Sequence, residues 1–370
     1  MDISIIIPTF NEAQNLPILI PRIFDIMNEN RLKAEVIVVD DNSPDRTWEI
    51  AQNLSHSFAL KVVRRFGERG LSSAVLEGFR HAQGEILTVM DAGLSHPPDK
   101  IPEMVRLIEA GSADMVIGSR YIQGGEFKNW PAVRKFISKS ATGMAKIVCN
   151  VKDPMAGFFS LKKGILKGVE LSPKGFKIGL EILVKCNLKK VIEIPTTFTD
   201  RRFGKSKLNW RVMLDYIFHL LALFFYKNSS ISQFLKFCVV GTSGVFVNLF
   251  FYTLMIYVFK VNYLVAATIS FCIAVSSNYY FNLNWTFNKN VPLPGWQSYI
   301  RFFSVSLMGY LVNILVLYIM VEKFELHKLI SQVIAIIIAT SNNFLGSKIW
   351  AFECRSQRID YMTGKNRVGL

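Results

Sequence analysis

An aspartate that directly follows a short apolar run is the first residue whose position indicates chemistry. The run covers residues 84–90 (GEILTVM) and is typical of a buried parallel strand, so Asp91 stands where that strand ends. Pro97 and Pro98 then force a turn before a helix that begins near Lys100. Ligands collect at the carboxyl ends of strands in open α/β sheets, and hard divalent cations prefer oxygen ligands. Asp91 is therefore a candidate for holding a divalent cation against a diphosphate, and capping of the following turn is the alternative.

Two adjacent acids at the end of a second predicted strand are candidates for nucleotide binding. The predicted strand 35–39 runs directly into Asp40 and Asp41, and a turn at 42–45 leads into a helix at Thr47. A carboxylate at this point can accept hydrogen bonds from a base N–H or from ribose hydroxyls. A solvated acidic turn explains the dipeptide equally well.

Three segments have the composition of phosphate-binding or membrane-facing elements. Small residues at 70–74 (GLSSA) open a helix whose first backbone N–H groups could bind phosphate, although a plain glycine turn is the alternative. The basic loop 198–208 (FTDRRFGKSKL) could clamp phosphate and also serve as a positive flank of the apolar half. Residues 129–148 predict an amphipathic helix that fits a membrane surface or an ordinary protein surface. Its polar side carries Arg134, Lys135 and Lys139.

The elements that position these residues divide the chain into two halves. Residues 1–207 alternate strand-like and helix-like segments, the pattern of a doubly wound α/β sheet. From Asn209 onward a helix with a polar stripe predicts a location in the membrane interface. The stripe consists of Arg211, Asp215 and His219. Four apolar stretches follow, and each has about the 20 residues that a spanning helix needs. They cover residues 234–258, 263–284, 300–321 and 329–350.

The apolar half contains an internal repeat with a shift of 65 residues, which predicts two helical hairpins of one design. The matching pairs include Lys236 with Arg301, Phe237 with Phe302, Gly244 with Gly309, Asn278 with Asn343, Trp285 with Trp350, and Phe287 with Phe352. Asparagines inside such helices are costly unless they face one another or a polar cavity, and we favour interhelical hydrogen bonds over a transport path.

Composition and charge indicate an anionic membrane surface and anionic substrates as partners. Hydrophobic residues make up 51% of the chain, the mean hydropathy is +0.28 and the net charge is +15. Ribonucleoprotein signatures, zinc-finger spacing and long basic runs are absent from the sequence, so no nucleic-acid partner is expected. The five scattered cysteines favour reduced packing residues. The first residues lack a signal-peptide pattern, and basic residues flank one side of the apolar stretches, so we expect the first half and both termini in the cytoplasm.

Taken together, these segments resemble glycosyltransferase family 2, and within it the dolichol-phosphate (polyprenyl-phosphate) mannose synthases. The resemblance spans about residues 3–208 and rests on an ordered set of motifs. They are 8–12 (PTFNE) with Asn15, 39–45 (VDDNSPD), 70–74, 90–98 (MDAGLSHPP), 118–121 (GSRY), 129–131 (NWP) with Arg134 and Lys135, 153–159 (DPMAGFF) and 201–208 (RRFGKSKL). The apolar half more loosely resembles GtrA-like four-helix membrane proteins.

The resemblance implies a GT-A (Rossmann-like) catalytic domain, an interfacial helix and a four-helix transmembrane domain. The implied boundaries are 1–208 for the catalytic domain, 209–230 for the interface helix and linker, 231–353 for the membrane domain and 354–370 for a cytoplasmic tail. The implied reaction is inverting transfer of mannose from GDP-mannose to dolichyl or polyprenyl phosphate on the cytoplasmic membrane face, with Mg²⁺ or Mn²⁺ as cofactor.

The resemblance also implies roles for particular residues. Nucleotide-binding residues would be Pro8, Phe10, Glu12, Asp40 and Asp41. Catalytic residues would be Asp91, Arg120 and Arg201, with Asp91 also the metal ligand. Residues holding phosphates of donor or acceptor would be Arg120, Arg134, Ser138, Arg201 and Lys207.

One departure from the family pattern concerns the metal site. The family motif reads Asp-Ala-Asp-Leu, whereas Gly93 takes the place of the second acid here. Asp91 with water and diphosphate oxygens could suffice, a neighbouring acid could substitute, or this copy could be weakly active or inactive. The alternatives to mannose transfer are transfer of glucose from UDP-glucose to polyprenyl phosphate, and translocation of lipid-linked sugars by the membrane half.

Overall fold

The computed structural model describes residues 2–67, 69–128, 130–171, 177–199, 210–287 and 295–352. The chain forms two compact units, Met1–Lys227 and Asn228–Leu370. The predicted site residues Arg201 and Lys207 and the predicted tail lie outside the described residues.

The first unit is built on a seven-stranded sheet in the order β3-β2-β1-β4-β7-β5-β8. The strands are β1 Ile3–Thr9, β2 Ala34–Asp40, β3 Leu60–Arg64, β4 Ile86–Val89, β5 Met115–Ser119, β6 Glu126–Lys128, β7 Phe159–Lys162, β8 Val191–Pro195 and β9 Thr197–Thr199. β7 is antiparallel to β4 and β5, the other pairs in the sheet are parallel, and β6 and β9 form a separate parallel pair.

Helices cover both faces of this sheet, which explains why its central strands are continuous apolar runs. The helices of the first unit are α1 Leu16–Glu29, α2 Thr47–Leu54, α3 Leu71–His81, α4 Ile101–Glu109, α5 Ala132–Ala145, α6 Ile178–Lys185 and α7 Trp210–Lys227. Every residue of β1 is buried. Ile5 and Ile7 lie in one core cluster with residues of α1 and α4, whereas Ile6 lies in a second cluster with residues of α3 and α6. The predicted doubly wound α/β sheet is confirmed.

Helix α7 packs onto the first unit. Tyr216, Leu220 and Leu223 are buried in a cluster with residues of α5 and α6. The Tyr216 hydroxyl donates to the Ala141 carbonyl at 2.7 Å, and the Lys227 amine donates to the Val148 carbonyl at 2.8 Å. The first unit ends at Lys227, and the assignment of 209–230 to an interface helix and linker stays a prediction.

Helix α7 has two apolar faces. One face packs on α5 and α6, and the other remains exposed. The exposed residues are Met213, Leu214, Ile217, Phe218, Leu221 and Tyr226. A membrane-interface position for this exposed face stays a prediction.

The second unit consists of four long helices that are apolar enough to cross a membrane. They are α8 Ser229–Tyr257, α9 Tyr263–Phe281, α10 Gly295–Glu322 and α11 Lys328–Gly346. α9 and α11 each continue into a π-helical turn, Asn282–Thr286 and Ser347–Ala351. The four candidate spans have mean hydropathies from 1.4 to 2.0.

In each hairpin, a glycine of the first helix packs against an asparagine side chain of the second helix. Gly244 lies against the Asn278 side chain, and Gly309 lies against the Asn343 side chain, too close in both cases for a β-carbon to fit. The carboxamide oxygens of both asparagines accept no hydrogen bond from the described residues. Close glycine–asparagine packing is what the structure shows here, and the hydrogen bonds that we favoured over a transport path stay a prediction.

Aromatic rings join the two hairpins at one end. Phe287 stacks on Phe352, its equivalent in the repeat, with ring centroids 4.6 Å apart and planes at 19°. Phe237 contacts Phe344 at 5.7 Å, and the equivalent contact of Phe302 with Tyr279 measures 5.8 Å. The 65-residue repeat thus appears in three dimensions as paired, nearly equivalent contacts.

Candidate active site

The carboxyl ends of β1, β2, β4 and β5 meet at one edge of the sheet because these strands run in the same direction. Thr9, the last residue of β1, pairs with Asp40, the last residue of β2. Asp91 follows β4 by two residues, and Arg120 directly follows β5. Strand direction therefore gathers the predicted donor-binding and catalytic residues at a common edge.

Asp40 is bound by protein groups on both of its carboxylate oxygens. Its side chain is fully buried, and one oxygen accepts from the Thr9 hydroxyl at 2.9 Å and from the Ser43 hydroxyl at 2.6 Å. The other oxygen accepts from the Ser43 N–H at 2.8 Å. Asp40 thus fastens β1 to the turn that follows β2. Direct contact with a nucleotide stays a prediction for this residue.

Asp41 is held by an arginine that the sequence analysis did not single out. The Arg65 Nε donates to Asp41 Oδ1 at 2.8 Å, and Arg65 Nη2 also contacts that oxygen. The Gly70 N–H donates to Asp41 Oδ2 at 2.9 Å. Arg65 further donates to the Ser73 hydroxyl at 2.9 Å, so it ties Asp41 to the first turn of α3. This network aligns the predicted base-binding acid with the predicted phosphate-binding helix start.

The segment after β1 is fixed to the loop after β2 and carries an aromatic ring at the edge. The Glu12 N–H donates to the Thr47 hydroxyl at 2.9 Å, and the Asn15 amide donates to the Glu12 carboxylate at 2.5 Å. The Arg69 guanidinium lies 4.9 Å from the centre of the Phe10 ring. Phe10 and Arg69 form a cation–aromatic pair, and planar groups of this kind can stack on a nucleotide base. Pro8, by contrast, is buried within β1.

The backbone at Asp91 is oriented by a histidine. The Asp91 N–H donates to His96 Nδ1 at 3.1 Å, which requires that this nitrogen carry no proton. His96 is buried, stacks on Phe158 with centroids 5.2 Å apart and meets the edge of Phe198 at 5.1 Å. A β-carbon at Gly157 would lie 3.7 Å from Asp91 Oδ1, so larger side chains there would crowd the carboxylate.

The donor set fits a divalent cation only if a ligand brings further oxygens. Among the described residues there is no group of three or more His, Cys, Asp or Glu side chains that could hold a metal ion. Asp153, another acid of this region, is paired with Arg120, and His96 Nδ1 is occupied by the Asp91 N–H. Mg²⁺ is commonly held by one or two carboxylates together with substrate phosphates and water. Asp91 with a diphosphate meets that requirement.

Arg120 is fixed by a bidentate ion pair with Asp153. Its Nε and Nη2 each donate to a different oxygen of Asp153 at 2.8 Å, and its backbone N–H donates to Asp153 at 3.0 Å. Asp153 is fully buried, and its own N–H donates to Glu193 at 2.9 Å. Burial by itself would lower the pKa of Arg120, but the hydrogen bonds and charge of Asp153 outweigh that effect and raise the pKa. Arg120 thus remains a cation in a fixed orientation.

A lysine that the sequence analysis did not single out adds a second cation. The Lys177 amine donates to the Met155 carbonyl at 2.9 Å. Burial, and then the nearby charge of Arg120, lower the pKa of Lys177 to about 8, while Asp91 and Asp153 act in the opposite direction. The charges of Arg120, Asp91 and Asp153 therefore all act on Lys177, so the site combines two cations with two carboxylates.

Helix α5 brings Arg134 and Ser138 to the ring cluster that surrounds Arg120. The Arg134 guanidinium stacks 4.1 Å from the centre of the Trp130 ring, and Arg120 lies 5.9 Å from the same ring. The Ser138 hydroxyl accepts from the Tyr121 hydroxyl at 2.9 Å. Three of the predicted phosphate-binding residues are thus grouped around shared aromatic neighbours.

The chain matches known proteins over both units. The family profile described as "Glycosyl transferase family 2" matches residues 4–169, and "GtrA/DPMS, transmembrane domain" matches residues 236–352. A protein of Pyrococcus furiosus named "Dolichol-phosphate mannosyltransferase" is 40% identical over 343 residues, which cover 92% of this chain and 96% of that protein. The chain belongs to the dolichol-phosphate mannosyltransferase family.

Shorter matches to fungal proteins carry the same name. The "Dolichol-phosphate mannosyltransferase" of Saccharomyces cerevisiae is 38% identical and covers 61% of this chain and 88% of that protein. That of Mycosarcoma maydis is 37% identical and covers 60% of this chain and 78% of that protein. The family resemblance and GT-A fold expected from the sequence are confirmed. This family member is a glycosyltransferase and a membrane protein.

The site residues missed by the sequence analysis are mainly partners of the predicted ones. Arg65, Asp153 and Lys177 each contact or influence a predicted residue that lies 24 or more positions away in the chain. Asp153 stood in a quoted motif without a role, and no sequence pattern indicated that Lys177 interacts electrostatically with Arg120 and Asp91. The individual roles of the predicted site residues stay predictions.

Proposed function

We propose that this glycosyltransferase moves mannose from GDP-mannose to the phosphate of a dolichyl or other polyprenyl lipid on the cytoplasmic face of a membrane. The observation that carries the proposal is the 40% identity to the Pyrococcus furiosus protein across 92% of the chain, because it includes both the catalytic and the membrane unit. A polyprenyl phosphate acceptor explains why a catalytic and a membrane unit belong to one chain, since the polyprenyl tail stays in the bilayer.

The chemistry requires no strong base. A phosphomonoester has a second pKa of about 6, so the acceptor is already largely dianionic at neutral pH. One of its oxygens attacks the anomeric carbon of mannose and forms the new C–O bond. The bond from that carbon to the diphosphate breaks, and its electron pair leaves with GDP. A single displacement of this kind inverts the anomeric configuration.

The main task of the protein is then to stabilise the charge that develops on the departing diphosphate. Arg120 suits this role because Asp153 and the surrounding rings hold its guanidinium in one orientation. Lys177 would add a second positive charge when protonated. The Asp91 carboxylate would hold Mg²⁺ or Mn²⁺, which when bound neutralises charge on the diphosphate.

The acceptor phosphate would bind on the side of α5. Arg134 and Ser138 lie on this helix, and their aromatic neighbours also surround Arg120. Arg201 and Lys207 would complete the phosphate site, as the family resemblance implies. The nucleotide would bind beside β1 and β2, where Phe10 and Arg69 offer a stacking surface and Asp41 offers a carboxylate held by Arg65. Pro8, Glu12 and Asp40 would complete this nucleotide-binding site.

The proposal is tested by the mass of the lipid product. Membranes containing the full chain, supplied with GDP-mannose, dolichyl phosphate and Mn²⁺, should yield a lipid heavier by one hexose. The Asp91→Asn variant should lose at least ~100-fold of this rate, the scale seen when a group that stabilises transition-state charge is removed. Asp99→Asn is the matched control, because Asp99 is exposed and pairs only with Arg22 in the described structure.

The donor is tested separately by thermal stabilisation. We expect GDP to raise the unfolding temperature more than UDP does. A product formed from UDP-glucose but not from GDP-mannose would contradict the proposed donor, and an unchanged rate in Asp91→Asn would remove Asp91 from the mechanism.

A further inference from the structure

Two cation–aromatic pairs in the membrane unit are related by the 65-residue repeat. The Lys236 amine lies 5.6 Å from the centre of the Trp285 ring, and the Arg301 guanidinium lies 5.6 Å from the centre of the Trp350 ring. Both tryptophans are 47% exposed. Agreement in distance and exposure between the two halves indicates one structural device used twice.

Both pairs lie at the same end of the unit. Lys236 and Arg301 are in the second turns of α8 and α10, and Trp285 and Trp350 are in the π-helical turns that follow α9 and α11. Each pair therefore connects the start of one helix to the end of its hairpin partner. Tryptophan and basic residues near the ends of spanning helices belong at the level of the lipid headgroups.

The described part of this unit, residues 228–287 and 295–352, places no counter-charge beside the cations of these pairs. Its acids are Glu322, the last residue of α10, and Glu325 in the loop that follows, and both lie at the opposite end. Within the described residues, neither Lys236 nor Arg301 forms an ion pair. Arg301 donates from Nη1 to the Trp350 carbonyl at 3.2 Å, which leaves its other N–H groups for a ligand. The described residues at this end therefore supply no anion that balances the two charges.

We propose that each pair is a binding site for the phosphodiester headgroup of an anionic membrane lipid, so that the unit holds two such lipids. A phosphodiester carries a single negative charge, which one Lys236 or Arg301 side chain can balance. The indole ring packs against the cation and leaves an exposed face at headgroup level. A lipid held in this way links the two helices of each hairpin.

The test counts bound lipids by native mass spectrometry of the full chain in a neutral detergent. With phosphatidylglycerol as the probe, we expect two more retained lipids than with phosphatidylcholine. Lys236→Gln and Arg301→Gln should each retain one, and the double variant should retain none. Because the sites are separate, the two losses should be additive.

Lys260→Gln is the matched control, since Lys260 is also a lysine of this unit but lies between α8 and α9 at the opposite end. It should retain both lipids, as should the charge-conserving pair Lys236→Arg and Arg301→Lys. An unchanged count in the double variant would overturn the proposal. So would an equal loss in Lys260→Gln, or preferential retention of dolichyl phosphate over phosphatidylglycerol.

Discussion

The two units of this protein stabilise their polar groups by opposite means. In the glycosyltransferase unit, buried charge is paired with buried charge, as in Arg120 with Asp153 and Arg65 with Asp41. In the membrane unit, a glycine accommodates the asparagine side chain in each hairpin, and stacked rings join the hairpins. The first unit depends on the chemical identity of partners far apart in sequence, and the second depends on shape and on a repeat.

This difference follows from the surroundings of each unit. A buried ion pair needs a precise partner because an unpaired buried charge is strongly destabilising. Helices in a bilayer already satisfy their backbone hydrogen bonds and gain little from burying further apolar surface. Close backbone approach then becomes the main source of association.

The largest effect is expected where one partner of a buried charge pair is removed. Asp153→Asn leaves the Arg120 charge buried and unbalanced, which should cost about 3–5 kcal/mol. The unfolding temperature of the purified protein should fall sharply, and transfer activity should be lost with it. Asp99→Asn breaks the exposed Arg22–Asp99 pair, which as a surface pair is worth at most about 1 kcal/mol, and should leave the unfolding temperature nearly unchanged. Similar shifts in the two variants would contradict the role assigned to the buried pair.

A smaller loss of stability is expected when the close glycine–asparagine packing of the membrane unit is disrupted. Gly309→Ala places a β-carbon inside the Asn343 side chain, and the resulting overpacking should cost about 1–3 kcal/mol in detergent unfolding titrations. Gly241→Ala is the control, because a β-carbon at Gly241 meets no atom within 4 Å.

Adding Asn343→Ala to Gly309→Ala should restore most of the lost stability, since it removes the clashing atoms. Stabilisation by GDP should be the same in all three variants, because the residues that we propose bind the nucleotide belong to the other unit. A loss of GDP stabilisation in Gly309→Ala would show that the two units are not energetically separate.

The smallest expected effect is a gain in divalent-cation affinity at the proposed cation site. Gly93→Asp restores the second acid of the family motif, and the Mn²⁺ concentration needed for half-maximal GDP binding should fall about tenfold, the scale of changes around metal ligands. Gly164→Asp adds the same charge at a position where a β-carbon meets nothing within 4 Å, and should leave the Mn²⁺ requirement unchanged. An unchanged requirement in Gly93→Asp would mean that Asp91 and the diphosphate hold the cation without a second acid.

Local sequence patterns predicted most of the strands and helices that position the candidate site residues. The apolar runs before Asp40 and Asp91 are strands β2 and β4, and both acids stand at the edge where parallel strands end. The four spans and the 65-residue repeat were also readable, because both depend on composition and spacing along the chain.

Side-chain pairing was not readable in the same way. Asp40 and Asp41 are neighbours, yet Asp40 faces Thr9 and Ser43 while Asp41 faces Arg65 and Gly70, because β2 ends at Asp40 and the chain turns after it. The two-sided packing of α7 was also hidden, since its pattern does not say which of two apolar faces meets the protein.

The sequence by itself determined the order of strands and helices, the positions of the edge acids and the repeated membrane hairpins, because each is a local pattern of apolar and polar residues. Only the tertiary structure decided that Asp153 holds Arg120 and that Arg65 holds Asp41. Those contacts join residues from separate elements, and their geometry exists only once the sheet has brought the elements together.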